Sequence, residues 1–543
     1  MNLIRSPPPR YVLASMLCSS GGLLFGMDTG IIGPVTVMKS FVSQFGTQSA
    51  TVHGLIVSSI LIPAAVSSFF AGRVADLLGR PKGIGIGALI FGIGTALEAS
   101  AVHLAMFIIG RCVEGIGEGL YLGTLVVYIC EISPPSKRGP LTTAPQLVIT
   151  LGLVAGFFTC YGTSRIDSSF AWRTPFIVLS CLSFMFSAAS TLWLVPSPRW
   201  LTLRGRRAEA SAAWDLLEVG QAEREKAEDE QSRGAIVLEQ MQGPAAADTT
   251  TTTTIIVDAS NGEGDVAAVP LRSSTQDPDT SGKHGFFSVF ARDVRTRTAL
   301  AVFLMGMQQL SGIDGVLYYA PLLFEQAGLA SSEASFLASG VSAIVIFSVT
   351  IPALIWADQW GRRHSTIYGG IGLSITMFLI GGLYAADAVH GTSGAGRWVV
   401  IVSIYAFAII FSVTWAVGIK VYAAEIQPQR TRAAATSLAH GSNWAANFLV
   451  ALTTPVLLAR SSFGAYFLFG GCTLLTAVVC WLFMPETKGR SLDEIEEAFR
   501  WRTVRPAGST ISFSSKRFSS IVRVVRGKLL GRTLAGTADM IAA

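Results

Sequence analysis

Residues 72–82 read GRVADLLGRPK and residues 357–363 read ADQWGRR; residues 128–139 read YICEISPPSKRG and residues 422–433 read YAAEIQPQRTRA. In each half of the chain an Asp, a Gly and an Arg in a short turn are followed by Glu-Ile-x-Pro and a further Arg. Asp76 precedes Glu131 by 55 residues, and Asp358 precedes Glu425 by 67. Every copy lies between long apolar runs. A charged loop repeated between repeated apolar runs predicts two membrane halves related by duplication, rocking around a site between them.

Composition agrees with a membrane protein. Half of the 543 residues are hydrophobic and 14% are charged, where a soluble domain carries about 25% charge; mean hydropathy is +0.51. The charges cluster between apolar runs long enough to cross ~30 Å of hydrocarbon. Twelve such runs are predicted, at 11–35, 52–72, 82–101, 104–130, 142–164, 172–195, 296–326, 333–356, 363–386, 397–424, 432–458 and 463–484. A transmembrane barrel needs segments of about 10 residues with alternating polarity, and IGIGALIFGIGTALEASAV (84–102) is too continuous for one. Helices satisfy their own backbone groups in lipid. The expected fold is therefore an all-α membrane protein, twelve transmembrane helices in two six-helix pseudo-symmetric halves.

The halves are expected at 1–195 and 296–484. Between them, 196–243 is Ala-rich with mixed charge and a single apolar face, a cytoplasmic helical segment. Residues 244–295 include six consecutive Thr (249–254) with Ser, Asp, Gly and Pro, a composition of disordered linkers. The tail, 485–543, is Ser-rich and basic beyond Thr503; it either lies on an anionic leaflet or is merely solvated. Arg5, Arg10, Arg73, Arg80, Lys82, Lys137, Arg138, Arg362, Arg363, Arg430, Arg432, Lys488 and Arg490 fall on one set of alternating loops, and only Lys39, Arg165, Arg173, Arg397 and Arg460 on the other. By the positive-inside rule both termini and the central loop are cytoplasmic. The net charge of +6 is accounted for by that asymmetry and points to no nucleic-acid partner. No cleavable leader is evident, and the seven Cys, all in or beside apolar runs, show neither zinc spacing nor a disulfide framework.

The duplicated loops carry more than orienting charge, since orientation needs only Lys and Arg. Asp76, Arg80, Glu131 and Arg138 in the first half, and Asp358, Arg362, Arg363, Glu425 and Arg432 in the second, form matching sets at helix ends. Exposed ion pairs there are weak enough to form and break as an inner gate.

At this point the chain resembles the sugar porters of the major facilitator superfamily, most closely the fungal proton-coupled sugar transporters. The resemblance is carried by GGLLFGMDTGIIG (21–33), GRVADLLGR (72–80), GRCVEGIGEG (110–119), YICEISPPSKRG (128–139), PSPRWL (196–201), QQLSGIDGVLYYAP (308–321), ADQWGRR (357–363), EIQPQRTRA (425–433) and PETKGRSLDEIEEAF (485–499). These span both halves in the family's order, and together they imply the major facilitator fold.

Charges inside a bilayer are costly and mark function. Asp28 counts to ~25 Å from the start of the first run, and Arg111 to ~10 Å from the start of the fourth, which runs the other way. The depths match, so the two can pair. A carboxylate beside Arg stays ionised, and one withdrawn from it in apolar surroundings takes up a proton. The resemblance implies the same: an Asp at the position of Asp28 accompanies proton symport, with Arg111 at the partner position.

A neutral sugar needs uncharged donors and acceptors in an apolar pocket. Gln146, Gln308 and Gln309 supply them, and Asn443 and Asn447 sit four apart on one helical face, although Asn447 also suits helix–helix bonding. The resemblance places Gln146, Gln308 and Gln309 at sugar-contacting positions and Tyr318 and Tyr319 at the outer gate. Two positions depart from the family: Asp314 stands where Asn is usual and Lys420 where many members carry Trp. The two opposite charges form a compensating pair across the cavity, or Lys420 snorkels toward the cytoplasm or meets Glu425; Trp415 could replace the missing Trp as the sugar's floor. PSPRWL also lacks the usual Glu before Ser, and GRPK has Pro where a second Arg is common.

The expectation is a proton-coupled sugar symporter of the plasma membrane, importing a mono- or disaccharide (hexose or sucrose-like) by alternating access. It would work as a monomer, with the proton as coupling ion and no cofactor or metal, and would not be an enzyme. A sugar-acid or polyol carrier and a non-transporting sugar sensor are the alternatives.

Overall fold

The computed structural model describes residues 8–229, 289–291, 294–329, 332–356, 360–389, 394–428, 431–488 and 499. Asp358, the side chain of Arg432, nearly all of the expected linker and the basic tail lie outside the described residues.

Helix is the only regular secondary structure among the described residues. Twelve helices are long and apolar enough to cross a membrane: Arg10–Val37, Ala50–Leu78, Arg80–Ala99, Leu104–Ile132, Arg138–Thr163, Phe170–Trp193, Arg295–Tyr318, Ala338–Trp356, Arg362–Ala385, Gly396–Glu425, Ala434–Arg460 and Gly464–Phe483. They are numbered here as spans one to twelve.

The duplicated turns have a common backbone cause. Gly79, between spans two and three, has φ +89°, and Gly361, just before span nine, has φ +75°. Only glycine takes such angles without steric cost, so each Gly–Arg step ends one element and starts the next. The segment after span six meets the first of these turns and the start of span one. Trp200 Nε1 and Arg204 Nη2 donate to the Asp76 carbonyl at 3.0 and 2.6 Å, and the Tyr11 amide donates to the Leu217 carbonyl at 3.1 Å. Short helices at Pro198–Leu203 and Arg207–Leu216 bury Leu201, Ala210 and Ala213 together. This end of the molecule is called the motif side below.

Between spans, hydroxyls act as glue because lipid offers no hydrophobic drive for helix pairing. Ser180, Ser183 and Ser187 of span six donate to the carbonyls of Gly92, Ala88 and Gly85 of span three at 2.8, 2.7 and 2.7 Å.

Span seven departs from the single run expected over 296–326. It breaks into Arg295–Gln309, Ile313–Tyr318 and Ala320–Gln326. At the first break Ser311 Oγ takes the Gln308 carbonyl at 2.6 Å, and Gly312 adopts φ +87°. A Cβ on Gly312 would stand 2.5 Å from the Phe469 ring. Gly312→Val is expected to cost about 1–3 kcal/mol in backbone strain, with overpacking added, read as a fall of several degrees in the melting temperature of the detergent-solubilised protein. An unchanged melting temperature would contradict this account of the break.

Candidate functional site

On the motif side the duplicated charges close within each half. Arg80 Nη1 meets Asp76 at 2.6 Å and Arg80 Nε meets Glu131 at 2.9 Å, tying the turn between spans two and three to the end of span four. In the second half Arg362 Nη2 meets Glu425 Oε1 at 3.3 Å, and the Thr487 hydroxyl donates to the other oxygen of Glu425 at 2.8 Å. Arg363 Nη2 donates to the Trp481 carbonyl at 2.8 Å. Arg138 opens span five, one residue beyond Lys137.

Glu486 lies outside the spans, and its role was not anticipated from sequence. Its carboxylate accepts from the backbone N–H groups of Arg362, Arg363, Thr487 and Lys488 at 2.9, 3.2, 3.1 and 3.1 Å. Partial burial pulls the carboxyl upward, but the N–H groups of Lys488, Arg362 and Thr487, with His364, outweigh it and hold it below the usual carboxylate range. Its contribution is therefore present above the unfolded carboxylate's range and is lost as pH falls through the lowered value. Wild type is expected to lose thermal stability more steeply than Glu486→Gln as pH falls below that range. Parallel melting curves would contradict the cap.

Inside the spans, three acids surround one base. Arg111 Nη1 lies 2.5 Å from Asp28 Oδ1, 3.0 Å from Glu114 Oε2 and 3.9 Å from Glu98 Oε2, and none of these side chains is more than 5% exposed. Arg111 Nη2 also donates to the Val57 carbonyl at 3.4 Å. Spans one, two, three and four thus meet at one guanidinium. Glu118, 1% exposed, lies one turn beyond Glu114 on span four. Among the described residues no group of three or more His, Cys, Asp and Glu is arranged to hold a metal ion; here Arg111 is the cation that the carboxyls face.

Span seven and span eleven build a second, uncharged group. Asn443 Nδ2 donates to the Met305 carbonyl at 2.8 Å and to Gln308 Oε1 at 3.2 Å. Its Oδ1 accepts from Gln309 Nε2 at 3.1 Å, and Gln308 Nε2 donates to the Trp415 carbonyl at 2.8 Å. The structure brings Gln308, Gln309 and Asn443 together, with Gln309 Oε1 unpartnered. Gln146, on span five, is half-buried. Asn447 is buried one turn from Asn443. Trp415 is not part of the group: it is fully buried, its indole donates to the Thr366 carbonyl at 2.9 Å, and its ring packs 3.0 Å from where a Cβ on Gly370 would stand.

Asp314 and Lys420 lie within electrostatic reach of each other. No ion pair within 4.0 Å joins them among those described. Lys420 is exposed although it sits within span ten, and it also influences His440 of span eleven, which is likewise exposed. Asp314, Lys420 and His440 thus bring charged and polar groups of spans seven, ten and eleven within reach of one another. Away from the motif side aromatic side chains pack between the spans. Tyr318 and Tyr319 are buried at 5% and 1% exposure, the Tyr319 hydroxyl donates to the Ala451 carbonyl at 2.6 Å, and the His53 ring of span two stands edge-on to Tyr319 at 5.3 Å. Nearer the middle, Phe25 of span one meets Trp444 of span eleven at 6.2 Å.

Glu98, Glu114, Glu118 and His440 were not singled out from the sequence. The signal was present for the three acids, because the rule that intramembrane charge marks function applies to them as it does to Asp28. His440 carries no comparable cue; an uncharged His among small residues reads as packing.

Twelve spans in two halves, a buried ion cluster in one and an amide group in the other define a membrane transporter of the major facilitator fold, not an enzyme. The chain belongs to the sugar (and other) transporter family, whose profile matches residues 14–255 and 261–499. It is 27% identical over 516 residues to the high-affinity glucose transporter of Kluyveromyces lactis, covering 91% of this chain and 86% of that protein. It is 29% identical over 507 residues to the sugar transport protein MST7 of Oryza sativa, covering 89% and 90%. Among solved structures, the proton:xylose symporter XylE bound to 6-bromo-6-deoxy-D-glucose superimposes with a TM-score of 0.69 at 25% identity, covering 90% of this chain and 99% of that one. The inward open conformation of XylE from E. coli gives a TM-score of 0.68 at 23% identity, with the same coverage.

Proposed function

We propose that this sugar transporter is a proton-coupled symporter that imports a neutral mono- or disaccharide across the plasma membrane as a monomer, with both termini cytoplasmic. The motif side is then the inner face. The observation that carries the reading is the Asp28–Arg111 contact at 2.5 Å, buried in the first half of a chain whose second half holds an uncharged amide group. The pair holds Asp28 as a carboxylate once its proton has left, and separation from Arg111 lets it load again. The resemblance to a solved proton:xylose symporter supports the same coupling. Gln308, Gln309 and Asn443, with Gln146 from the other half, would meet the sugar hydroxyls, and Tyr318 and Tyr319 would form the closed outer gate. The paired loop charges Asp76, Arg80, Glu131, Arg362 and Glu425 stand at the inner ends of spans that must move as the halves rock.

The test is sugar-evoked proton entry into proteoliposomes. Adding sugar outside is expected to acidify the lumen; sugar entry with no proton movement overturns the coupling. Asn443→Ala leaves the Met305 carbonyl and both glutamines short of a partner, at about 2 kcal/mol. It is expected to raise the half-saturating sugar concentration roughly 30-fold. An unchanged value removes Asn443 from the site.

Lys420 and His440 beside the amide group favour a second reading, a carrier of sugar acids. Labelled D-gluconate and D-glucose separate the two: gluconate entry that is lost in Lys420→Trp supports the second reading, and glucose entry alone supports the first.

A further inference from the structure

The proton reading uses Asp28 and Arg111 and leaves Glu114 and Glu118 without work. They lie three and seven residues beyond Arg111 on span four, on the same helical face, about 5 and about 10 Å nearer the motif side. Glu114 already touches the guanidinium at 3.0 Å through one oxygen, and its carboxyl also lies within hydrogen-bond reach of Glu98. Both oxygens of Glu118 and the hydroxyl of Tyr121, one turn further on, are unpartnered and no more than 1% exposed. Around Glu114 stand Asp28 of span one, Glu98 of span three and Arg111. Around Glu118 stand Asp28 and Arg111 on one side and Tyr121 and Tyr318 on the other.

One guanidinium balances one carboxylate, and the carboxyls beyond Asp28 have no cation of their own. Such groups, spaced about 5–6 Å apart along a helix face, can pass a proton by side-chain rotation. A passage is needed. In this conformation Tyr318 and Tyr319 are buried on the outer side, while the exposed polar side chains Lys420 and His440 lie toward the motif side.

We propose that Glu114 and Glu118 form the inward exit for the proton that Asp28 carries. The proton leaves the Asp28 carboxyl for Glu114, Glu114 passes its own on to Glu118, and Glu118 delivers one past Tyr121 to water on the motif side. Each acid ends as it began, and Asp28 is left as the carboxylate that Arg111 holds. The inference rests on Asp28 being the proton carrier.

The test compares two measurements on the full chain in proteoliposomes, with labelled D-glucose as probe. Counterflow exchanges sugar without proton release; proton-driven accumulation requires release. Glu118→Gln and Glu114→Gln are expected to keep wild-type counterflow, which shows that they fold, and to lose accumulation and proton flux by about 100-fold. Glu118→Asp keeps an acid and is expected to recover accumulation. If both Gln variants accumulate sugar as wild type does while Asp28→Asn does not, the exit path is wrong and the proton pair stands. If Asp28→Asn also accumulates sugar, the coupling itself fails and the exit path with it. A Glu118→Asp protein as inactive as Glu118→Gln in both measurements assigns Glu118 to packing and overturns the proposal.

Discussion

Asp28→Asn is expected to abolish accumulation of sugar above the outside concentration and to remove its stimulation by acid, while downhill entry and counterflow continue. The separation of these activities follows from the geometry. Asn cannot take up or release a proton, so the gradient loses its grip on the cycle. Arg111 still has Glu114 at 3.0 Å, and that carboxyl can give up its proton to become the counter-charge, so the substitution does not strand a buried cation and the bundle survives. Loss of every activity together would point to collapse of the cluster rather than to uncoupling. Full accumulation by the variant would remove Asp28 from the coupling step.

Arg111→Gln carries the largest stability effect we expect. Arg111 is the base that Asp28, Glu98 and Glu114 share, and its side chain is 1% exposed. Removing one partner of a buried ion pair costs about 3–5 kcal/mol. The variant is expected to melt many degrees below wild type in detergent and to reach the membrane in small amounts. Adding Asp28→Asn should restore part of the lost stability, since one uncompensated carboxylate goes with it, and should not restore accumulation. If Arg111→Gln alone were as stable as wild type, the guanidinium would not be holding spans one, three and four together.

Most of the architecture was legible in the sequence because it depends on two coarse signals: runs of apolar residues and the repeated Gly–Arg turns. Gly79 and Gly361 explain why the second signal was reliable, for each supplies a backbone angle that other residues resist. The break in span seven was less legible. QQLSGID is a short polar stretch inside a long apolar run, so the run reads as one continuous helix; the φ of Gly312 and the turn back from Ser311 to Gln308 interrupt it.

The candidate site divides in the same way. Helix counting placed Asp28 and Arg111 at one depth, and they meet at 2.5 Å. Counting depth does not say which face a residue occupies, so Trp415 read as a possible floor although its indole is committed to Thr366. Nor could pattern alone say that Asp314 and Lys420 would lie within electrostatic reach without closing an ion pair within 4.0 Å. Glu114 and Glu118 were visible in GRCVEGIGEG, but their significance appears only when spans one and three bring Asp28 and Glu98 to the same guanidinium.

The central claim, that a proton gradient drives sugar entry through this chain, is tested most directly by uptake in yeast lacking its own sugar transporters. Labelled hexoses, pentoses and disaccharides are supplied at acid and neutral pH, with and without a protonophore. The account expects at least one neutral sugar to accumulate above its outside concentration at acid pH, less so at neutral pH, and to fall to the outside level when the protonophore is added. Uptake that only equilibrates, is indifferent to pH and is untouched by the protonophore would contradict it.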